Sequence, residues 1–173
     1  MDSTRAGAIV FTDIVGYTEF TADRGDTAAV ALLDRQTTIV RDALPADARI
    51  VKELGDGLLL WFGEPVGAVT TCLQLLDEFA RAGDATTPLW VRIGMHWGRP
   101  ARRGDDLVGH DVNLAARIAD MSGPGELLVS DAVCAAAGEA LARMCVTELG
   151  PVVMRGIPDP VPLFRITRAP DTP

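Results

Sequence analysis

The sequence predicts an α+β sandwich of the ferredoxin-like kind, in which a βαββαβ core carries additional strands and helices. Two observations predict this fold class. Apolar runs of strand length alternate along the chain with amphipathic patterns of helical period, and hairpins interrupt the alternation. With 173 residues, of which 48% are hydrophobic, the chain suits one packed domain. We assign this domain to residues 1–168 and expect residues 169–173 to form a disordered tail.

The first half of the chain predicts a strand, two helices and a hairpin. The strand is a continuous apolar run, which is typical of burial on both faces. Asp26 is a good N-cap for the second helix, and Pro45 stops that helix. Gly55 and Asp56 join the hairpin strands and suit a type II′ turn. The predicted elements, in order, are residues 7–12, 18–22, 26–43, 49–54 and 57–62.

The second half predicts three more helices and the remaining strands. Glu64 and Pro65 open a helix whose apolar residues recur at helical spacing. A short, charged strand or arm over residues 99–107 separates the next strand from the next helix. The predicted helices are residues 64–82, 110–121 and 131–137, and the predicted strands are residues 89–97, 126–129, 145–149, 152–155 and 161–166.

Charge and cysteine content exclude several classes of function. The net charge of −8 argues against a nucleic-acid duplex and against an anionic membrane surface as partners. The chain has no run of 18 or more apolar residues and no signal-peptide pattern, so we expect a soluble, cytoplasmic domain. Cys72, Cys134 and Cys145 lack CxxC spacing, which predicts buried structural thiols rather than a zinc site or a disulfide framework.

Two aspartates are candidate metal ligands. Asp13 follows the first strand and Asp56 occupies the hairpin tip, so both emerge at one end of the sheet if that strand lies beside the hairpin. Magnesium binds carboxylate and carbonyl oxygens, usually together with substrate phosphates, and the carbonyl of Ile14 is within local reach. Two metal ions between two carboxylates can activate an attacking oxygen and stabilise a leaving one. The same pattern also fits a helix cap at Asp13 and an ordinary turn residue at Asp56.

The only lysine of the chain is a third candidate. Among sixteen Lys and Arg residues, fifteen are arginine and one is Lys52. A period of two places Lys52 on one strand face with Ile50 and Leu54, close to Asp56. This isolation favours a position where a forked guanidinium would not serve. A surface lysine whose stem lies along apolar neighbours is the alternative.

The helix over residues 110–121 presents a polar pair. Asn113 and Arg117 are four residues apart and share one face, while Leu114, Ile118 and Met121 form an apolar stripe on another. An amide and a guanidinium side by side can orient a sugar and hold a phosphoryl oxygen. A solvent-facing pair without a function fits the same spacing.

Three motifs combine these candidates in a fixed order. They are Phe11-Thr-Asp13-Ile-Val-Gly16-Tyr-Thr18, then Lys52-Glu-Leu-Gly-Asp56-Gly57, then Asp106-Leu-Val-Gly109 with Val112-Asn113-Leu-Ala-Ala-Arg117. In spacing and order they resemble the class III adenylyl (nucleotidyl) cyclase catalytic domain of the bacterial type. Each motif is modest alone, but together they cover about residues 6–167, nearly the whole chain.

The resemblance implies an adenylyl cyclase that needs two divalent metal ions, Mg²⁺ or Mn²⁺. Asp13 and Asp56 match the family's metal-binding aspartates, and Lys52 and Asp106 match the pair that reads the purine. A lysine donor and an aspartate acceptor suit N1 and the 6-amino group of adenine, whereas guanine inverts both groups. The implied reaction converts ATP to 3′,5′-cyclic AMP and pyrophosphate. A guanylyl cyclase and a catalytically silent domain that dimerises or senses nucleotide are the alternatives.

The resemblance also implies catalytic residues and a homodimer. Asn113 matches the residue that orients the ribose, and Arg117 matches the one that stabilises the transition state at the α-phosphate. Arg155 lies where the family often has a lysine for the terminal phosphates, and Arg99 is a further candidate for them. Sites of the family lie between two subunits, one supplying the metal aspartates and the other the purine and transition-state residues. The arm over residues 99–106 resembles the dimerisation arm of some bacterial members.

Overall fold

A computed structural model describes residues 5–87 and 89–170 of the chain. Its strands are β1 (Gly7–Ile14), β2 (Ala48–Leu54), β3 (Gly57–Phe62), β4 (Val91–Gly98), β5 (Ala101–Arg103), β6 (Asp106–Val108), β7 (Leu127–Ser130), β8 (Met144–Val152) and β9 (Val161–Arg168). Its α-helices are α1 (Tyr17–Arg24), α2 (Asp26–Ala43), α3 (Pro65–Ala82), α4 (His110–Met121) and α5 (Asp131–Ala137), and a 3₁₀ helix follows over Gly138–Arg143.

The main sheet has the strand order β2-β3-β1-β4-β7-β9-β8. β1 pairs antiparallel with β3 on one side and with β4 on the other. Strands β1 to β4, with α1, α2 and α3 between them, form the βαββαβ core, and β7, β9 and β8 extend the sheet. The predicted fold class is therefore confirmed.

Helices cover both faces of this sheet. Val10 and Leu60 belong to the larger cluster, which packs beneath α2, α3 and α5. Their strand neighbours Ile9 and Leu59 point to the other face, where they pack with residues of α4 and β6. Adjacent residues of β1 and β3 thus serve opposite layers, which explains why these strands are apolar at nearly every position.

Gly94 allows α4 to lie directly on β4. A Cβ atom at Gly94 would stand 2.1 Å from the backbone nitrogen of Ala119, so any side chain would push the helix away. At the end of α4 the buried Ser122 hydroxyl donates to the carbonyl of Ile93, 2.8 Å away. The sheet therefore determines where α4 and its polar face lie.

Some predictions of local structure are wrong. Residues 152–155 do not form a strand, because β8 continues to Val152 and the chain then turns at Arg155 and Gly156, the latter with φ of 80°. Asp26 is the first residue of α2 rather than its N-cap, which is Gly25. Residues 99–107 do not form the single short strand that was one of the two predictions; they contain a small hairpin of β5 and β6, and the arm stays a prediction.

The predicted burial also fails at exposed edges. Cys145 is exposed because it lies on β8, the last strand of the sheet, and Cys134 is half-buried, so only Cys72 is the buried thiol that was predicted. Met121 is 50% exposed because α4 ends there.

The structure describes only part of the predicted tail over residues 169–173. Ala169 and Pro170 have no regular secondary structure, and the rest of the predicted tail, residues 171–173, lies outside the described residues. Over residues 5–87 and 89–170, no helix has both the length and the hydropathy needed to cross a bilayer.

Candidate active site

Asp13 and Asp56 are neighbours at one end of the sheet, as predicted. Asp13 lies near the end of β1 and pairs with Gly57, the residue after Asp56 in the hairpin. The N–H of Ile14 donates to the carbonyl of Asp56 at 3.1 Å. A Cβ atom at Gly57 would stand 2.3 Å from the carbonyl oxygen of Thr12, so this close approach needs glycine. The strand end and the hairpin tip therefore form one rigid unit.

A buried glutamine of α2 reinforces that unit, although no local pattern in the sequence points to it. Gln36 is 1% exposed. Its side-chain amide donates to the carbonyl of Asp56 at 3.3 Å, and its oxygen accepts from the hydroxyl of Thr12 at 3.4 Å. Thr12 in turn accepts from the N–H of Leu58 at 3.2 Å. Gln36 thus links the loop of Asp56 to the strand that carries Asp13.

The two carboxylates perturb each other. Burial raises the pKa of Asp56, and the negative charge of Asp13 and a hydrogen bond with its side chain raise this pKa further; the positive charge of Arg92 opposes the shift. Two like charges held this close favour either a proton or a cation between them. Carboxylate and backbone carbonyl oxygens are the hard ligands that Mg²⁺ and Mn²⁺ prefer, so this pair and the nearby carbonyl of Ile14 have the chemistry of a divalent-metal site.

Arg92 is the cation that accompanies Asp13, and sequence reasoning missed it. Its Nη2 and Nε atoms lie 2.7 and 2.8 Å from Oδ2 of Asp13. Its Nη1 donates to the backbone carbonyl of Asp120 at 3.2 Å, at the end of α4. Arg92 lies directly across from Asp13 in the pairing of β4 with β1, so only the strand topology could have identified it.

We expect Asp56→Asn to raise the melting temperature of the metal-free protein at neutral pH. Because the pKa of Asp56 is raised, the protonated form contributes stability that is complete below the ordinary aspartate value and is lost as pH rises through the raised pKa. An amide stays neutral at every pH, so Asp56→Asn avoids this loss of stability. Its melting temperature should exceed that of the wild type by a few degrees at most. Melts in chelator at pH 7 and at about pH 4, close to the ordinary aspartate pKa, should show a smaller gain at the lower pH.

The control for this prediction is Asp34→Asn, on an exposed position of α2. It removes the same charge at an exposed position, so its melting temperature should follow that of the wild type. An Asp56→Asn protein that melts at or below the wild-type temperature at both pH values would contradict the prediction.

Lys52 and Asp106 meet on the face that α4 covers. Their Nζ and Oδ2 atoms are 2.7 Å apart, and both side chains are about one-third exposed, 36% and 34%. The hydrogen bond from Lys52 is the main cause that lowers the pKa of Asp106, helped by the N–H of Leu107. Asp106 is therefore an ionised acceptor beside a lysine donor.

A β-bulge at Val51 places Lys52 there and corrects the predicted strand face. Ile50 pairs with Leu60, but Lys52 pairs with Leu59, so the register shifts by one residue between them. Ile50 therefore packs on the α2 and α3 face while Lys52 faces the other side. The prediction that Ile50 and Lys52 share a face is wrong because simple alternation does not hold across a bulge.

Asn113 and Arg117 are exposed on one face of α4, as their spacing predicted. Nη1 of Arg117 lies 3.2 Å from Oδ2 of Asp120 on the same helix, and the other oxygen of Asp120 lies 3.8 Å from Nη2 of Arg92. Asp120 is a second residue that sequence reasoning did not single out. It joins the guanidinium beside Asp13 to the guanidinium on α4.

Arg99 and Arg155 are exposed and stand apart from this group. Arg99 follows β4, and its backbone N–H donates to Asp111 at 2.8 Å. Arg155 lies in the turn between β8 and β9, and its guanidinium forms no ion pair with the residues the structure describes. The structure does not bring either arginine to Asp13 or Asp56.

On one chain, a small cleft lies beside Asp13. The cleft has a volume of about 130 Å³ and is bordered by Asp13 and Arg92 together with Ala116 and Asp120 of α4. Sites for ligands of nucleotide size are usually about 300–1,000 Å³. Neither Lys52 nor Arg117 borders the cleft. The predicted site residues therefore do not line one common cleft on a single chain.

A sequence model of the family described as the adenylate and guanylate cyclase catalytic domain matches residues 1–167. The chain belongs to this family. This cyclase domain is 29% identical over 170 residues to a pH-sensitive adenylate cyclase of Mycobacterium tuberculosis, covering 97% of this chain and 42% of that protein. It is 30% identical over 155 residues to an adenylate cyclase of Glutamicibacter nicotianae, covering 89% and 38%. The domain spans less than half the length of these curated relatives.

Solved structures of cyclases share the fold of this cyclase domain. An adenylate cyclase of Trypanosoma brucei in its monomeric state superposes with a TM-score of 0.85 at 23% identity, covering 99% of this chain and 96% of that one. The guanylate cyclase domain from Catenaria anguillulae in complex with GTP superposes with a TM-score of 0.83 at 20% identity, covering 98% and 100%. At these identities the likeness establishes the fold and leaves the choice of purine to the residues of the site.

Proposed function

We propose that this cyclase domain is an adenylyl cyclase that converts ATP to 3′,5′-cyclic AMP and pyrophosphate at sites shared across a homodimer. The observation that carries the choice of ATP is the pairing of Lys52 with Asp106 at 2.7 Å. Asp13 and Asp56, with the carbonyl of Ile14, would hold the two divalent ions, Mg²⁺ or Mn²⁺, that the reaction needs. The raised pKa of Asp56 supports this assignment, because a bound cation would offset the repulsion between the carboxylates of Asp13 and Asp56 that contributes to the shift.

Lys52 and Asp106 recognise adenine by exchanging their mutual contact for two contacts with the base. The ammonium of Lys52 donates to N1, and the carboxylate of Asp106 accepts from the 6-amino group. The lowered pKa of Asp106 keeps that carboxylate an acceptor at neutral pH. Guanine presents a donor at N1 and an acceptor at position 6, so each protein group would face its own kind.

The reaction is an in-line displacement within one nucleotide. The ribose 3′-oxygen forms a bond to the α-phosphorus while the bond to the β-phosphate oxygen breaks, and pyrophosphate leaves with the electron pair. Divalent ions held by Asp13 and Asp56 would make the 3′-hydroxyl more acidic and would offset the charge of the triphosphate. Asn113 orients the ribose, and Arg117 stabilises charge that develops at the α-phosphate. We assign no side chain as general base, so the released proton passes to solvent.

The small size of the cleft on one chain supports the shared site. A cleft of about 130 Å³ cannot enclose ATP, and Lys52 and Arg117 lie outside it. A two-fold dimer would bring the Lys52, Asp106, Asn113 and Arg117 group of one subunit to the carboxylates of the other, and the same operation would make a second site. The hairpin of β5 and β6 is the proposed dimerisation arm. Arg155 and Arg99 are proposed to contact the phosphates.

Turnover of ATP and GTP with Mg²⁺ and with Mn²⁺ tests this function, with cyclic AMP and cyclic GMP measured as products. We expect ATP to be preferred by about 100-fold or more. Lys52→Gln removes the donor charge at N1, so it should slow ATP turnover and narrow the ATP-to-GTP ratio by about tenfold. The control Arg81→Gln, at an exposed position of α3, should leave the ratio unchanged.

Two outcomes would overturn parts of the proposal. A clear preference for GTP would overturn the adenine assignment of Lys52 and Asp106 and favour a guanylyl cyclase. Absence of turnover with either nucleotide, in protein shown to be dimeric, would favour a catalytically silent domain. Against the silent domain, all six matched positions carry the expected residue types, namely Asp13, Lys52, Asp56, Asp106, Asn113 and Arg117.

A further inference from the structure

The start of α4 is held by an acidic side chain rather than by a cap. The residue before the helix is Gly109, with φ of 118°, and no side chain caps the first turn. Instead, Oδ2 of Asp111 accepts a hydrogen bond from the backbone N–H of Arg99 at 2.8 Å, just beyond the end of β4. A carboxylate in the first turn also interacts favourably with the helix dipole. Asp111 therefore fastens the first turn of α4 to the end of β4.

The end of β4 is shaped to receive this carboxylate. A Cβ atom at Gly98 would stand 2.2 Å from Oδ2 of Asp111, so only glycine allows the contact. Two residues earlier on β4, His96 is 8% exposed, and its Nε2 lies 3.4 Å from Oδ1 of Asp111. Its Nδ1 lies 2.8 Å from the hydroxyl of Ser130, which is fully buried at the end of β7. One imidazole thus joins β4, β7 and α4.

A neutral imidazole satisfies both neighbours. The hydroxyl of Ser130 can donate to Nδ1 while the N–H at Nε2 points to the carboxylate of Asp111. Burial lowers the pKa of His96, which favours this neutral form; the negative charges of Asp111 and Asp131 oppose the shift, and His110 adds to it. A buried ring with two fixed partners is a rigid link.

We propose that Asp111, held by His96 and by the N–H of Arg99, is a positioning residue for Asn113 and Arg117. The inference rests on the proposed function. The side chain of Asn113 has no hydrogen-bond partner among the described residues, and the partner of Arg117 lies on the same helix. The position of α4 therefore determines where the side chains of Asn113 and Arg117 lie. A displacement of about 1 Å at a reacting centre can cost about 100-fold in rate.

A mixed dimer isolates this role. A dimer of one Asp13→Ala chain and one Arg117→Ala chain has one complete site, in which the Asp13→Ala chain supplies α4. Adding Asp111→Ala to that chain should lower kcat about 10- to 100-fold and change KM for ATP less than about threefold. The Arg117→Ala chain does not supply α4 to the complete site. Adding Asp111→Ala to that chain should therefore lower kcat by a factor at least about tenfold smaller. Asp111→Asn keeps an acceptor for the N–H of Arg99 and should restore most of kcat.

Each outcome of this experiment either supports or overturns the inference. An equal loss from both chains would mean that Asp111 only stabilises the fold, and no loss from either would mean that it does nothing for α4. If the mixed dimer forms but lacks activity before Asp111 is changed, the shared site is wrong instead. The homodimeric variants then carry the test: a loss of kcat in Asp111→Ala that Asp111→Asn repairs supports positioning, and an unaltered kcat overturns it.

Discussion

Asp13→Ala should lower cyclic AMP formation by about three orders of magnitude. Asp13 is one of the two carboxylates proposed to hold the divalent ions. In the wild type, two nitrogens of Arg92 lie 2.7 and 2.8 Å from Oδ2 of Asp13. The substitution would remove this partner and leave the guanidinium beside Asp56, with Asp120 as its remaining carboxylate neighbour. The site would then carry one negative charge fewer, and the freed guanidinium would repel a metal ion. Higher Mn²⁺ concentrations should therefore not restore activity.

Two measurements separate loss of metal from loss of fold. Mn²⁺ added with a non-reactive ATP analogue should raise the melting temperature of the wild type but not that of Asp13→Ala, because only binding to the native state stabilises it. Asp34→Asn removes an exposed carboxylate of α2 and should behave like the wild type in both assays. Retention of more than about a tenth of wild-type activity by Asp13→Ala would refute the metal assignment.

Mixing Asp13→Ala with Arg117→Ala should restore activity that neither protein has alone. Each heterodimer contains one intact site, built from the carboxylates of the Arg117→Ala chain and the α4 residues of the Asp13→Ala chain. After random exchange about half of the dimers are heterodimers, so about a quarter of wild-type activity is expected. The physical reason is the division seen in one chain, where a cleft of about 130 Å³ holds Asp13 but not Arg117.

A second mixture controls for non-specific recovery. Asp13→Ala and Asp56→Ala both damage the metal half of the site, so their heterodimers have no intact site and should stay inactive. Differently tagged chains allow heterodimers to be isolated and assayed directly. Isolated Asp13→Ala and Arg117→Ala heterodimers with no more activity than the separate proteins would show that each site is built from one subunit.

The sequence predicted most secondary structure because the local rules were strong there. The helix over residues 110–121 and the hairpin strand over residues 57–62 match α4 and β3. Errors occurred where a long-range partner changes the outcome of a local pattern. Residues 152–155 have the composition of a strand, yet Gly156 turns the chain away from the sheet. Cys145 looked like a core thiol, yet its strand lies at the sheet edge.

The candidate site was predictable only in part for the same reason. The motifs pointed to Asp13, Asp56, Lys52 and Asn113 without any knowledge of their neighbours. Arg92 carries no local signal, because its contact with Asp13 depends on which strand pairs with β1. Asp111 likewise reads as an ordinary helix residue until the ends of β4 and β7 are seen around it.

By itself the sequence determined the fold class, the family and the identity of the residues in its three motifs, because these follow from local periodicity and from residue types at set spacings. It left open whether Asp13 and Asp56 were a metal pair or a cap and a turn residue. Only the tertiary structure decided that the two carboxylates are neighbours, that a bulge turns Lys52 toward Asp106, and that Arg92 accompanies Asp13. Contacts across a sheet depend on strand order and register, which no local pattern in one sequence specifies.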